Sequence, residues 1–188
     1  LYLKSAYSAI HVNFRSNVSI HDCTFVDFKY NGVWFDGTVS GWKTTPTNII
    51  PTGNSIYNCV FTNCTQLTNN ATTGHIRFEG QNGLQIYNCD FDQTTRGAGE
   101  NHNILSGYQN YGFKIHNCEF TKNELNGTAY NFYAEIHYSH GGVEIYDNTF
   151  NGGGCLDFSG SVKGTYDYGA KIYGNVFTNP TSMAAAAH

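Results

Sequence analysis

The chain has 188 residues, enough for one domain with a continuous core; 40% of them are hydrophobic and only 13% charged. A net charge of −4 with no basic run argues against a nucleic-acid partner. No stretch approaches the roughly 20 apolar residues of a membrane span, and no signal-peptide pattern is present.

The chain opens at Leu1-Tyr2-Leu3, almost inside an apolar run and without the polar cap that solenoids use for solubility. This reads as a mature product, a fragment or one piece of a larger protein. From Val18 onward a single phrase recurs. It reads VSIHDCTF from Val18, NSIYNCVF from Asn54, LQIYNCDF from Leu84, FKIHNCEF from Phe113, VEIYDNTF from Val143 and AKIYGNVF from Ala170. Its sixth position is Cys23, Cys59, Cys89, Cys118, Asn148 and Asn175, at spacings of 36, 30, 29, 30 and 27 residues. Such a period marks a repeat architecture.

Within each phrase apolar and polar residues alternate, which argues strand rather than helix. Ile20, Ile56, Ile86, Ile115, Ile145 and Ile172 share one inward position, and Phe25, Phe61, Phe91, Phe120, Phe150 and Phe177 share another. The Asn, Gly, Asp and Thr clusters between runs are turn chemistry. A propeller blade needs about 40–45 residues, more than these repeats have. The expected fold is all-β: a single-stranded parallel β-helix of about six coils spanning residues 1–180. The tail 181–188, ending in Ala184 to His188, reads as a cloning remnant.

Between phrases lies another short run, the expected first strand of each coil. Its inward pairs are Ile10/Val12, Val33/Phe35, Ile76/Phe78, Ile104/Ser106, Ile136/Tyr138 and Leu156/Phe158. Three outward ladders follow from strand alternation. The first is Ala9, Gly32, His75, Asn103, Glu135 and Cys155. The second is His11, Trp34, Arg77, Leu105, His137 and Asp157. The third is Asn13, Asp36, Glu79, Gly107, Ser139 and Ser159. This face is rich in groups that move protons, whereas the phrase strands present the plainer Ser19, Ser55, Gln85, Lys114, Glu144 and Lys171. A salt-bridged exterior is the plain reading of the same residues, since Arg77 would pair with Glu79 and Asp36.

The longest insertion, Thr38 to Gly53, carries Trp42, Lys43, Pro46 and Pro51. Long loops of this kind are functional or disordered. Trp34 and Trp42 both fall beside this face and offer aromatic surfaces for stacking; a loop anchored on its coil by Trp42 explains the second equally well. The phrase also sets His21, Tyr57, Tyr87, His116, Tyr146 and Tyr173 outward in a stripe about 24 Å long at the usual strand spacing. That stripe could bind a glycan, join protomers, or merely stack to stabilise its own ladder.

The six cysteines show no paired C-x-x-C spacing, which argues against a zinc site. In-register neighbours sit about 4.8 Å apart, too far for a disulfide's Cβ separation of about 3.8 Å, so the ladder cysteines are expected as buried thiols.

With these residues in view, the chain resembles the pectate-lyase-like right-handed parallel β-helix superfamily, in which Asn commonly fills the bend between second and third strands. Asn148 and Asn175 hold that position here and four cysteines replace it elsewhere. The resemblance implies an extracellular or cell-surface protein whose first-strand sheet forms a polysaccharide groove. It implies no named activity: the Arg-x-x-Pro-x-x-Arg stretch of pectate lyases is absent, and Gly74-His75-Ile76 only partly echoes the Gly-His-Gly of polygalacturonases.

Two mechanisms suit the face. In β-elimination Arg77 neutralises a uronate carboxylate while His75 or His137 takes the C5 proton. In hydrolysis two carboxylates flank the scissile bond, roughly 5–5.5 Å apart for retention or about 6.5–9.5 Å for inversion; Asp36 with Glu79 suits the first and Glu135 with Glu79 the second. Trp34, Trp42, Lys43, His11, Asn103, Glu135 and Asp157 are the candidate substrate contacts. No cofactor is expected. Calcium needs about 6–8 oxygens, beyond what Asp36 and Glu79 supply. The rival expectation is a non-catalytic carbohydrate-binding or adhesin module, or a tailspike-type fragment.

Overall fold

The computed structural model describes residues 2–4, 8–37, 50–65, 73–93, 101–122, 131–137, 139–159 and 169–179. Among them every regular element is a strand, and no helix is long and apolar enough to cross a membrane. Trp42 and Lys43 lie outside the described residues.

The strands form three parallel sheets of six, six and seven members. The chain visits them in rotation. From Ser8–Asn13 in the first sheet it passes to Ser19–His21 in the second and Thr24–Val26 in the third, then returns to the first at Asn31–Asp36. Each strand pairs with its equivalent one repeat away, as in Ile20↔Ile56 and Phe25↔Phe61. This is the arrangement of a parallel β-helix.

The phrase explains the stacking. Ile56, Ile86, Ile115 and Ile145 are almost fully buried in one column, and Ile20 nearly so. The phenylalanines form a second column, with Phe25, Phe61, Phe91, Phe120, Phe150 and Phe177 at ring separations of 4.7, 5.1, 4.7, 4.8 and 4.8 Å. Each such pair contributes about 0.5–1.5 kcal/mol beyond its buried area. The columns are open at one end, however. Ile172 is 47% and Phe177 56% exposed, so the expectation of six buried residues in each column holds for five. Among the described residues the last rung stacks against a neighbour on one side.

The fifth phrase position makes the bend between second and third sheets. Asp22, Asn58, Asn88, Asn117 and Asp147 all have φ of 52° or 53°, and Gly174 follows at 66°. Asn, Asp and Gly are the residues that enter this left-handed region at least cost. The sixth position then points into the bend. Asn148 Oδ1 accepts from the Cys118 amide at 3.0 Å while its Nδ2 donates to the Ile115 carbonyl at 3.0 Å. Cysteine does half of this: the thiols of Cys59, Cys89 and Cys118 donate to the carbonyl two residues back at 3.3 Å. All six cysteines are free, and Cys23, at the first coil, is only partly buried.

Candidate functional site

The first sheet departs from the sequence-based alignment in one strand. Ile76 pairs with Ile104 and Phe78 with Ser106, as expected. In the next strand Ala134, not Ile136, stands opposite Ile104, and Ile136 stands opposite Ser106. The strand Asn131–His137 is therefore shifted by two residues. A register irregularity between Phe132 and Ala134 accompanies the shift. Tyr133 there turns into the core, 1% exposed, with its ring 4.9 Å from Phe150 and 6.0 Å from Phe120. Two large aromatics thus anchor the strand early, and the small Ala134 takes the inward place an isoleucine was expected to fill.

This shift redraws the ladders. The second becomes His11, Trp34, Arg77, Leu105, Glu135 and Asp157. Glu135 moves into it from the first ladder, and His137 moves out of it to follow Asp36, Glu79 and Gly107 in the third.

At its middle the first ladder turns inward rather than outward. His75 is fully buried, its ring 6.2 Å from Phe61 and 6.1 Å from Phe91. It bonds the Gln93 side-chain oxygen, and Asn103 Nδ2 lies 3.3 Å from its Nδ1. Asn103 is equally buried. A side chain at Gly32, in the same rung position, would run into the Phe61 ring. His75 precedes its strand and Gly32 and Asn103 lie in the first half of theirs, near the corner where the chain turns from the third sheet, where strand alternation does not hold. Burial, reinforced by the nearby charge of Lys122, brings the His75 imidazole down to about 3. His75 and Asn103 are accordingly core residues, out of reach of a substrate in the groove.

What remains outward falls into two groups across the strand Asn101–Ser106. On one side Arg77 donates to Glu79 Oε1 through Nη2 at 2.6 Å and Nε at 3.2 Å. Its guanidinium lies 4.9 Å over the Trp34 ring. The other neighbour of Trp34 is His11, stacked at 4.2 Å and 8°, and His11 Nε2 is 3.9 Å from Asp36 Oδ2. Trp34 is therefore flanked by ring and guanidinium within its own ladder and offers its edge, not an open face.

On the other side Glu135 Oε1 accepts from His137 Nε2 at 2.7 Å, and Glu135 Oε2 lies against His102 Nε2. His102 is buried, and its Nδ1 donates to the Thr73 carbonyl at 2.8 Å. Burial alone would raise the Glu135 carboxyl; the two imidazoles prevail together and hold it down at about 2. His102 escaped sequence reasoning because it is a corner residue, one before Asn103. Its stacking on Phe132 at 5.2 Å is the ladder relation that could have flagged it.

Between the groups the intervening strand presents little. Leu105 is 5% exposed, and Gly107 carries no side chain where the Glu79 carboxylate leans over it. A Cβ at Gly107 would overlap that carboxylate. The register Asp36↔Glu79 is as expected, and Glu79 is itself 8% exposed. Asp157 sits one strand beyond Glu135.

On the second sheet the stripe His21, Tyr57, Tyr87, His116, Tyr146 and Tyr173 is continuous, with ring separations of 4.8, 4.9, 5.2, 4.7 and 5.0 Å and interplanar angles of 10° or less. The rings face one another, so solvent meets their edges. Among the described residues no group of three or more His, Cys, Asp or Glu is disposed to hold a metal ion. Compared with protein-family models, curated proteins and solved structures, the chain matches none significantly.

Proposed function

We propose that the protein is a right-handed parallel β-helix of about six coils that engages an extracellular polysaccharide on the outer face of its first sheet, and that it cleaves uronate-containing chains there by β-elimination. The observation that carries this reading is the Glu135–His137 pair lying on the same outward face as Arg77. The Glu135 carboxylate, held ionised, accepts from His137 Nε2 at 2.7 Å. His137 is thereby oriented as a base, with about a third of its side chain open to solvent. In the reaction the His137 imidazole takes the C5 proton of the uronate, the C5–H electron pair forms the C4–C5 double bond, and the C4–O bond breaks as its oxygen takes a proton from water. Arg77 stands two strands away at about 10 Å between backbones; its guanidinium lies over Trp34 and bonds Glu79, and offsetting the uronate carboxylate requires it to swing across Leu105.

The same geometry disfavours hydrolysis. That mechanism needs one carboxyl protonated near neutrality, whereas Glu135 sits at about 2 between two imidazoles and Glu79 is bound to Arg77. His75, buried in the core, has no part. The rival, a binding or adhesin module working through the tyrosine stripe, draws less support because stacked rings expose no face for a sugar. Likeness to the pectate-lyase-like superfamily rests on the repeated phrase.

The test is kinetic. On a cleaved uronate polymer, His137→Ala should lower the rate by on the order of 10²–10⁴, and Glu135→Gln by less, while circular dichroism stays unchanged. Arg77→Ala should abolish turnover. Full activity in His137→Ala would remove this site from the chemistry.

A further inference from the structure

Behind the Glu135–His137 pair stands a buried group to which the elimination mechanism assigns no work. His102 is fully buried, and its ring stacks on Phe132 at 5.2 Å and 5°. Both of its nitrogens are engaged. Nδ1 lies 2.8 Å from the Thr73 carbonyl, and Nε2 lies against Glu135 Oε2. A carbonyl oxygen only accepts, so Nδ1 carries a proton. An ionised carboxylate also only accepts, so the second contact needs a proton of its own between nitrogen and oxygen. The result is a charge-assisted hydrogen bond, which is shorter and stronger than one between neutral groups.

We infer that His102 is a positioning residue for the proposed site: it fixes the Glu135 carboxylate from behind, through a proton lodged between Nε2 and Oε2, and so sets the orientation of the His137 ring. This rests on the reading of His137 as the base of the elimination. A base held by a group that is itself held by a third is a recurring arrangement in catalytic sites.

The carboxylate is placed for this task. Its two oxygens divide between an imidazole with no exposed side-chain surface and one that is 30% exposed, at 2.7 Å. A free glutamate side chain has several rotatable bonds; pinning one oxygen directs the other. The anchor is itself fixed, because Thr73 belongs to the preceding coil and Phe132 to the following one. The tie thus runs from a backbone carbonyl through His102 and Glu135 to a ring at the surface.

Ladder stacking does not impose the contact. His102 stands opposite Phe132 and Glu135 opposite Leu105, so the two meet on a diagonal. Stability gives little reason for it either, since a buried ionic contact seldom improves on well-packed apolar side chains. The other buried histidine of this corner makes the contrast. His75 bonds the neutral side chains of Gln93 and Asn103 and reaches no group on the outer face.

Two substitutions separate the contacts of His102. His102→Gln keeps an amide donor where Nε2 stands and gives up the tie to Thr73. His102→Asn keeps the donor where Nδ1 stands and leaves Glu135 Oε2 without its partner. On a uronate polymer that the wild type cleaves, His102→Asn should lower kcat on the order of 10²-fold with KM little changed, and His102→Gln should recover most of that loss. Rates that fall equally in both variants, in step with their melting temperatures, would mark a merely structural residue and overturn the proposal.

Nitrogen NMR of histidine-labelled protein reads the same tie without substrate. The wild type should show both nitrogens of His102 protonated and a slowly exchanging proton on His137 Nε2. His102→Gln should keep that His137 signal and His102→Asn should lose it. A bare Nε2 on His102, or a His137 signal that survives in His102→Asn, would overturn the positioning role whatever the activity. With these signals as expected and no polymer cleaved by the wild type, His102 still positions the pair and the elimination reading alone is overturned.

Discussion

At the scale of single residues, His75 shows how position in a coil outranks residue type. A histidine beside Arg77 and Glu79 in sequence looks like part of a proton-transfer cluster, yet it is a corner residue wedged between Phe61 and Phe91. Its consequence is for stability. The folded protein keeps it neutral down to about pH 3, against an ordinary value of 6.5, chiefly through burial. Below pH 6.5 the unfolded chain takes up a proton that the folded chain refuses, so stability is intact above that pH and falls as the pH drops toward 3. The loss should be on the order of 3–5 kcal/mol. Urea titrations across this range should show it in the wild type and a shallower decline in His75→Gln, which carries no titrating group. Equal slopes in the two proteins would mean that His75 titrates as if exposed. The proposed function rests instead on His137, whose neighbour Glu135 has two imidazoles converging on it.

Among elements, the phrase strands were fully legible and the first-sheet strands partly so. The Ile and Phe positions repeat without exception, so like stacked on like and the register followed. Phe91→Ala should cost about 3–5 kcal/mol in chemical denaturation, as expected for an enclosed aromatic with a ring neighbour on each side. A cost below about 1 kcal/mol would mean that the column does not carry the core. The strand Asn131–His137 was misread by two residues because matching isoleucine to isoleucine ignored Tyr133. Periodicity cannot see a residue that leaves the alternation to fill a cavity beside another sheet. The same limit hid the corner residues His75, His102 and Asn103. By contrast, the left-handed bend was encoded openly in Asp22, Asn58, Asn88, Asn117 and Asp147. The tyrosine stripe was also legible as a ladder, though its ring orientation, which decides what it can bind, was not.

For the whole molecule, a solenoid of this kind is a scaffold on which three long faces carry different chemistry. The third sheet lines its interior side with phenylalanine, the second carries the ring stripe and alternating charge, and the first concentrates Arg77, Glu79, Glu135 and His137 on its outer side. The proposed function stands on that last face, where the Glu135–His137 pair and Arg77 lie. The most direct measurement is an assay of the wild-type protein on a panel of uronate-containing and neutral polysaccharides. It follows the ultraviolet absorbance of unsaturated sugar ends alongside the appearance of reducing ends. The account predicts that both signals rise together on at least one uronate polymer and that neither rises on neutral glycans. Reducing ends without unsaturation, or no cleavage of any uronate polymer, would contradict it.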